Sequence, residues 1–295
     1  MIAHALVISA LGIAGAVLAD GRCSSSEVKI ARVAGLEIFY HERGQGPILL
    51  LIHGMFGDIT DWDPVLAPLA KTYRVIAIDL PGFGGSSKPG VEYTADFFVS
   101  SLDAFFDHLE ISQAVLAGNS FGGVICMMYA LRHPSRVKGM VLIGSGGFHD
   151  WTEEERGLAQ ARFRKENLRK LSPAVHQLIF SPIFVHQTSA AKVAYLKKQD
   201  AKLTRSDFAE YVDSVHSSIQ LALDAYLLDR LGEIKSPVLI IQGEEDQVVK
   251  MEWAREGARR FPSAELQVLK NCGHVPQLEA PQEVAELIAT FAARL

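Results

Sequence analysis

Apolar residues in this chain gather into short runs set apart by longer stretches of helical periodicity. Residues 28–33 and 36–41 are two brief runs joined by Ala34-Gly35, which reads as a hairpin at a sheet edge. Further runs occupy 47–52, 73–79, 114–117, 137–143, 237–241 and 266–269. Several are apolar throughout instead of alternating, the pattern of parallel strands buried on both faces. Between them, 61–70, 94–109, 120–133, 251–261 and 281–293 carry helical spacing. The alternation predicts an α/β architecture: a doubly wound, mostly parallel sheet of eight strands. In such sheets ligands bind beyond the carboxyl ends of the strands, and every short chemical motif of this chain falls at such an end.

One region breaks the alternation. Residues 149–231 hold helix-like segments at 153–170, 190–199 and 206–231, interrupted near Pro173 and Pro182, and no strong strand. The runs on either side are ones that a sheet would make neighbours. The pattern predicts a helical cap, 149–231, inserted after the sixth parallel-type strand of a core made of 28–148 and 232–295. More helices on the sheet are the plainer alternative. Ahead of the core, 1–27 reads as a signal-like segment and a polar linker. The small apolar stretch 5–19 suits a signal-peptide core and is short for a membrane span. Met1-Ile2-Ala3-His4 lacks the usual Lys or Arg. Export to the periplasm or the medium is the expectation, with an uncleaved membrane anchor or a cytoplasmic protein with an extended start as alternatives. Cys23 invites a lipoprotein reading, and Arg22 before it argues against one.

Composition narrows the partners. The chain has 295 residues, 48% hydrophobic, ample for one large core with an insertion. A net charge of −5 without any block of like charges gives no footing for nucleic acid or an anionic membrane; a small-molecule substrate is expected from the chemical motifs instead. Arg162-Phe163-Arg164-Lys165, with Arg169-Lys170, is balanced by Glu153, Glu154, Glu155 and Glu166 and reads as a solvated helix face. Three cysteines, Cys23, Cys126 and Cys272, without a CxxC pair are too few for a disulfide framework. No metal-ligand spacing and no dinucleotide fingerprint stands out, so neither metal nor cofactor is expected.

The chemistry starts at Gly118-Asn119-Ser120-Phe121-Gly122. The Gly-x-Ser-x-Gly pattern alone is close to what ordinary Gly and Ser usage produces. Here it follows one apolar run and opens a helix, the strand–turn–helix setting that a nucleophile elbow requires. The flanking glycines let strand and helix approach. The helix N-terminus brings partial positive charge to a developing oxyanion. A serine hydroxyl needs a base, and His274, in a loop between the last run and the last helix, is the candidate. A base needs an acid to fix its tautomer. Asp246, at the tip of the turn after 237–241, is the candidate, with Glu244 and Glu245 beside it. The order Ser, Asp, His is unlike the chymotrypsin and subtilisin orders. His53-Gly54-Met55-Phe56-Gly57 follows the run at 47–52. The amides of Met55 and Phe121 are candidate oxyanion donors, and His53 is read as holding its loop. Phe56, Trp62 and Phe148 are candidate pocket residues. Cys272 is read as a spectator.

With these motifs in place the chain resembles the α/β-hydrolase superfamily over about 28–295. His53 to Gly57 is similar to its HG-x-x-G oxyanion loop. Asp79-Leu80-Pro81-Gly82-Phe83-Gly84-Gly85-Ser86 is similar to its D-x-x-G-x-G-x-S loop, and Gly118 to Gly123 to its elbow. The resemblance implies a Ser120–Asp246–His274 triad with no cofactor. Ser120 sets the chain apart from dehalogenases and epoxide hydrolases of the superfamily, which have Asp there. The Gly-Asn-Ser-x-Gly-Gly elbow is shared by bacterial esterases and lipases and by meta-cleavage-product hydrolases, which break C–C bonds. In the second group an aromatic residue commonly follows the base, whereas here Val275 follows. That difference, with the export-like segment, makes carboxyl-ester hydrolysis the expectation. C–C hydrolysis and a non-catalytic ligand-binding member are the alternatives.

Overall fold

A computed structural model describes residues 28–295. The signal-like stretch, the linker and Cys23 lie outside the described residues. Eight strands form one sheet: β1 (Val28–Val33), β2 (Leu36–Arg43), β3 (Ile48–Ile52), β4 (Arg74–Ile78), β5 (Ala114–Asn119), β6 (Val137–Ile143), β7 (Val238–Gly243) and β8 (Ala264–Leu269). Their spatial order is β1-β2-β4-β3-β5-β6-β7-β8. β2 pairs antiparallel with both β1 and β4, and every other pairing is parallel. β6 is therefore the sixth strand of the chain but the fifth to run in the common direction. The continuous apolar runs have a simple cause. Successive side chains of a strand point to opposite faces, and both faces are covered. Leu50 and Ile52 of β3 enter one core, Leu49 and Leu51 the other, and β4 to β7 divide in the same way.

The helices between strands are α1 (Asp63–Leu69), α2 (Ala95–His108) and α3 (Phe121–Arg132). Next come α4 (Glu153–Arg162), α5 (Lys165–Leu168), α6 (Pro173–Phe180), α7 (Ala190–Lys202) and α8 (Phe208–Asp224), all between β6 and β7. The last are α9 (Met251–Arg260), α10 (Pro276–Glu279) and α11 (Pro281–Ala292). α1 packs on α11 on one face, and α2 packs on α3 on the other. The chain moves outward from β3 to β4 and then returns to add β5 on β3's other side. That reversal makes a crevice beyond the ends of β3 and β5, where doubly wound sheets bind ligands. Among the described residues no helix is long and apolar enough to cross a membrane.

Several boundaries differ from the sequence reading for local reasons. Pro173 opens α6 instead of interrupting a helix, because the first helical position needs no N–H, and Ser172 caps it. The stretch 153–170 breaks at Phe163 into α4 and α5, and the stretch 206–231 ends its α-helix at Asp224 before a 3-10 turn, Leu228–Glu233. The stretch 61–70 starts as a 3-10 turn, Ile59–Trp62, capped by Asp58. α10, absent from the sequence reading, again begins at a proline.

Candidate active site

Ser120 stands between β5 and α3 with φ 53° and ψ −114°, a backbone conformation that side chains rarely adopt. Its surroundings hold it there. Ser120 N–H donates to the Ile143 carbonyl at 2.9 Å, and the Ser120 carbonyl accepts from Gly123 at 3.0 Å. A Cβ on Gly118 would lie 2.4 Å from the Gly122 carbonyl carbon, and one on Gly122 only 2.2 Å from the Ile52 carbonyl oxygen. Strand and helix can approach this closely only with both side chains absent.

Asn119 ties this turn to the last loop of the site. Its Nδ2 donates to the carbonyls of Ile143 at 3.0 Å and His274 at 3.1 Å. His274 is buried, and its Nδ1 lies 2.9 Å from Asp246 Oδ2. Asp246 Oδ2 also accepts from Gln242 Nε2 at 2.9 Å, while Oδ1 accepts from the amides of Val248 at 2.8 Å and Val249 at 3.0 Å. Burial alone raises a carboxyl pKa. Here the His274 ring and those two amides outweigh burial and hold Asp246 below its ordinary value. An ionised Asp246 accepts Nδ1–H, which leaves Nε2 of a neutral His274 as a proton acceptor.

The loop after β3 is built around His53. This fully buried ring accepts from Leu80 N–H at Nε2, 3.1 Å, and donates from Nδ1 to the Gly54 carbonyl, 2.8 Å. Burial lowers its pKa, in keeping with the neutral tautomer that these two bonds require. Asp79 next door accepts from the amides of Ile59 and Gly85, each at 2.7 Å, and burial raises its pKa. Gly57 N–H closes a turn onto Gly54 at 3.0 Å. Within that turn Phe56 takes φ 63°. Met55 reaches the cavity wall, as does Ser120. The Phe121 amide is the first of its helix and has no intrahelical partner.

Two cavities meet at Ser120. The larger, about 520 Å³, is walled by Met55, Phe56, Asn119, Ser120, His274 and Val275 from the core, and by Arg162, Phe163, Phe180, Ile183, Tyr195 and Ile219 from the helices between β6 and β7. The smaller, about 190 Å³, shares Ser120, Phe163, Ile219 and Val248 with it and adds Phe121, Phe148, His149, Trp151 and Trp253. The structure thus brings Ser120, Met55, Phe56 and His274 to one cavity, Phe121 and Phe148 to the other, and Asp246 behind His274. Trp62 goes elsewhere, which corrects its assignment to the pocket. It is fully buried with Ile59, Val65 and Leu66 in the core beneath α1, because the 3-10 turn ending at Trp62 aims it at the sheet. Arg162 fits its reading and adds to it. It is exposed, and it also stands at the cavity wall, beyond its reading as part of a solvated face.

Cys126 and Cys272 are buried free thiols. Burial, with Glu279 and Glu283 nearby, pushes the Cys272 pKa up to about 12, which suits a spectator. Among the described residues no group of three His, Cys, Asp or Glu side chains is placed to hold a metal ion.

Residues 47–281 match the family described as the alpha/beta hydrolase fold. The chain is 32% identical to 2-hydroxymuconate semialdehyde hydrolase of Pseudomonas sp. (strain CF600) over 280 residues, covering 88% of this chain and 92% of that protein. Among solved structures it is similar to a membrane phospholipase A described as a bacterial virulence factor (29% identity, TM-score 0.78, 91% of this chain and 86% of that one). It is equally similar in fold to a meta-cleavage product hydrolase from Pseudomonas fluorescens IP01 (27% identity, TM-score 0.78, 90% and 97%).

Proposed function

The chain belongs to the α/β-hydrolase family, and from that premise we propose that it is a serine hydrolase that breaks a carbon–carbon bond beside a ketone in an unsaturated 2-oxo acid, the reaction class of meta-cleavage-product hydrolases. The observation that carries this reading is that two cavities of unequal size meet at Ser120, so a substrate can extend on both sides of the bond to be cut. The name of the Pseudomonas sp. relative, a semialdehyde hydrolase, supports the same class. It displaces ester hydrolysis as the leading expectation.

In the proposed route the 2-hydroxydienoate first takes its 2-oxo form, the hydroxyl proton leaving and a proton arriving at C5, and Ser120 Oγ then adds to the C6 ketone carbon as its proton passes to His274 Nε2. Asp246 holds the resulting imidazolium, and the amides of Met55 and Phe121 take the oxyanion. Collapse breaks the C–C bond. Its electron pair is delocalised through the conjugated chain to the 2-oxo group, and His274 returns the proton to carbon. Water, deprotonated by His274, then frees the acyl group from Ser120. The helices α4 to α8 act as a cap that walls off this chemistry. Arg162, the one Lys or Arg among the described residues lining either cavity, is the residue proposed to meet the substrate carboxylate.

Ester hydrolysis is the second reading, and three observations favour it. Val275 stands where an aromatic residue commonly follows the base, the walls are mostly apolar, and the phospholipase A structure is 29% identical. The same residues serve, with an alkoxide leaving instead of a carbanion. Steady-state kinetics on 2-hydroxy-6-oxohepta-2,4-dienoate, whose C6 is a ketone, and on p-nitrophenyl butanoate decide. A kcat/KM at least about tenfold higher for the dienoate supports the proposal, and the reverse ratio assigns the protein to esters. Ser120→Ala is expected to abolish whichever activity is present. No turnover of either substrate, with no fluorophosphonate adduct on Ser120, refutes a catalytic role altogether.

A further inference from the structure

The turn that carries Met55 is gripped by a helix from outside the core. α7 buries Lys192, Tyr195, Gln199 and Lys202, a spacing that defines one helical face. Three of these four are polar, while Val193 on the same helix is 60% exposed. A helix with its polar stripe inward is stable only if that stripe finds partners. The Phe56 carbonyl supplies two of them: Gln199 Nε2 donates to it at 3.1 Å and Lys202 Nζ at 2.6 Å. Lys202 Nζ also lies 3.1 Å from Asp58 Oδ2, and Lys198 Nζ lies 3.1 Å from Asp58 Oδ1 and bonds Asp61. Despite burial, the two ammonium groups hold the Asp58 carboxyl far below its ordinary pKa.

Phe56 has φ 63°. A bulky residue stays in that region only where its surroundings over-determine it. The charge-assisted bond from Lys202 and the neutral one from Gln199 fix the peptide after Phe56, and through it the turn whose preceding residue is Met55. We infer that Lys202, seconded by Gln199, is a positioning residue that aims the Met55 amide at the oxyanion. The inference rests on the serine-hydrolase reading above. Without the grip, Phe56 relaxes toward negative φ and the compensating rotation passes through Met55. A donor displaced by a fraction of an ångström serves a ground-state carbonyl nearly as well but the developing oxyanion much less well, because preorganised donors act where charge appears in the transition state.

The test compares full-length Lys202→Met, Lys202→Arg, Gln199→Met and Lys165→Met proteins with wild type on whichever substrate wild type turns over faster. The readouts are kcat, KM and the inhibition constant of phenylboronic acid, whose tetrahedral adduct on a serine puts an oxygen in the oxyanion site. Loss of a whole oxyanion donor costs about 10²–10³ in kcat, so Lys202→Met, which only mis-aims one, is expected to lose about 10- to 100-fold. KM is expected to stay within about threefold, and boronate inhibition to weaken by the same factor as kcat, as it must when only the transition state is affected. Lys202→Arg recovers most of the loss, and Gln199→Met shows a smaller loss with the same parallel. Lys165 pairs with Asp213 between α5 and α8, away from the turn, and its variant is expected to match wild type. Unchanged kcat and boronate affinity in Lys202→Met overturn the inference, as does an equal loss in Lys165→Met, which would mean general loosening. If Lys202→Met does not fold, Gln199→Met decides by the same two readouts. Failure of the underlying reading looks different: wild-type protein then turns over neither substrate and takes no label on Ser120, and the inference falls with it.

Discussion

Replacing Asp246 by Asn tests the proposed triad at its most constrained atom. Both carboxylate oxygens are committed: Oδ1 to the amides of Val248 and Val249, Oδ2 to His274 Nδ1 and Gln242 Nε2. An Asn in the same rotamer must choose which side receives its NH₂. Turned toward Val248 and Val249 it faces two backbone donors that cannot move. It therefore turns toward His274 and Gln242. Gln242 cannot escape by flipping its own amide, because its Nε2 also donates to the Val249 carbonyl at 2.9 Å. Two NH₂ groups are left opposed in a buried site, a cost of about 1–3 kcal/mol. Meanwhile His274 Nδ1 must become the acceptor, so the ring proton moves to Nε2. A base that already carries its proton on the atom facing Ser120 cannot take another, and kcat is expected to fall by about 10³–10⁴. KM should change little, since Asp246 does not line the cavity.

Three measurements read this chain of cause separately. Long-range proton–nitrogen spectra of ¹⁵N-histidine protein should report the Nδ1–H tautomer for His274 in wild type and the Nε2–H tautomer in the variant. Urea unfolding reads the stability loss, and steady-state kinetics the rate. A variant with the Nε2–H tautomer that keeps kcat within about tenfold of wild type would refute the assignment of His274 as base, because tautomer and rate are linked only through proton acceptance.

Three further outcomes follow from the same geometry. Ser120→Gly, which removes the side chain from a φ of 53°, should raise stability by about 1 kcal/mol in urea unfolding while abolishing turnover. Gly122→Ala, with its methyl 2.2 Å from the Ile52 carbonyl oxygen, should cost about 3 kcal/mol in the same assay by prising α3 from β3. His53 has a folded pKa below its ordinary 6.5 because it is buried; below about pH 6.5 the unfolded chain therefore takes up a proton that the folded chain refuses. Stability should fall with acidification by up to about 1.4 kcal/mol per pH unit from this group, and His53→Gln should lack that component in urea unfolding at pH 7 and pH 5.

β3 to β7 were legible because burial on both faces writes itself as nearly uninterrupted apolar residues, the more exposed β1, β2 and β8 as short runs beside turns, and the candidate site because its residues sit at strand ends. Ser120, Asp246 and His274 follow β5, β7 and β8, and Met55 follows β3. The helices between β6 and β7 read less well. Their walls mix Phe163, Phe180, Tyr195 and Ile219, and periodicity does not distinguish an aromatic that faces a cavity from one that faces a core. α7 was harder still. Its buried stripe carries Lys192, Gln199 and Lys202, so the rule that polar residues face water points the helix the wrong way. A signal was nonetheless present: Lys198 and Lys202, four apart on one helix, with Asp58 and Asp61 elsewhere in the chain to receive them. Trp62 misled for the opposite reason, as its place beside a motif loop resembled a pocket position while its side chain was needed under α1.

Of the five described non-glycine residues with positive φ, three lie on loops that supply the proposed chemistry: Phe56 on the oxyanion turn, Ser120 at the elbow and Asn271 at the start of the His274 loop. Strain of this kind collects at sites whose geometry function dictates, but different parts of the molecule hold it. Ser120 is restrained wholly from within the core, by Ile143 and by glycines that let α3 reach β3 and β5. Phe56 is restrained by α7. The His274 loop is shared: His274 N–H donates to the Ile183 carbonyl at 2.9 Å, and Glu279 joins it to the same segment by accepting from Gly273 and Val185. Loosening the inserted helices therefore leaves the nucleophile in its strained turn and withdraws support from the other two loops. Under the proposed mechanism such a loosened protein keeps a correctly posed Ser120 but loses rate through a mis-aimed Met55 amide and a wandering base. Exchange of this insertion between relatives would then alter kcat as well as substrate preference, because the helices that shape the cavity are the ones that hold the catalytic loops.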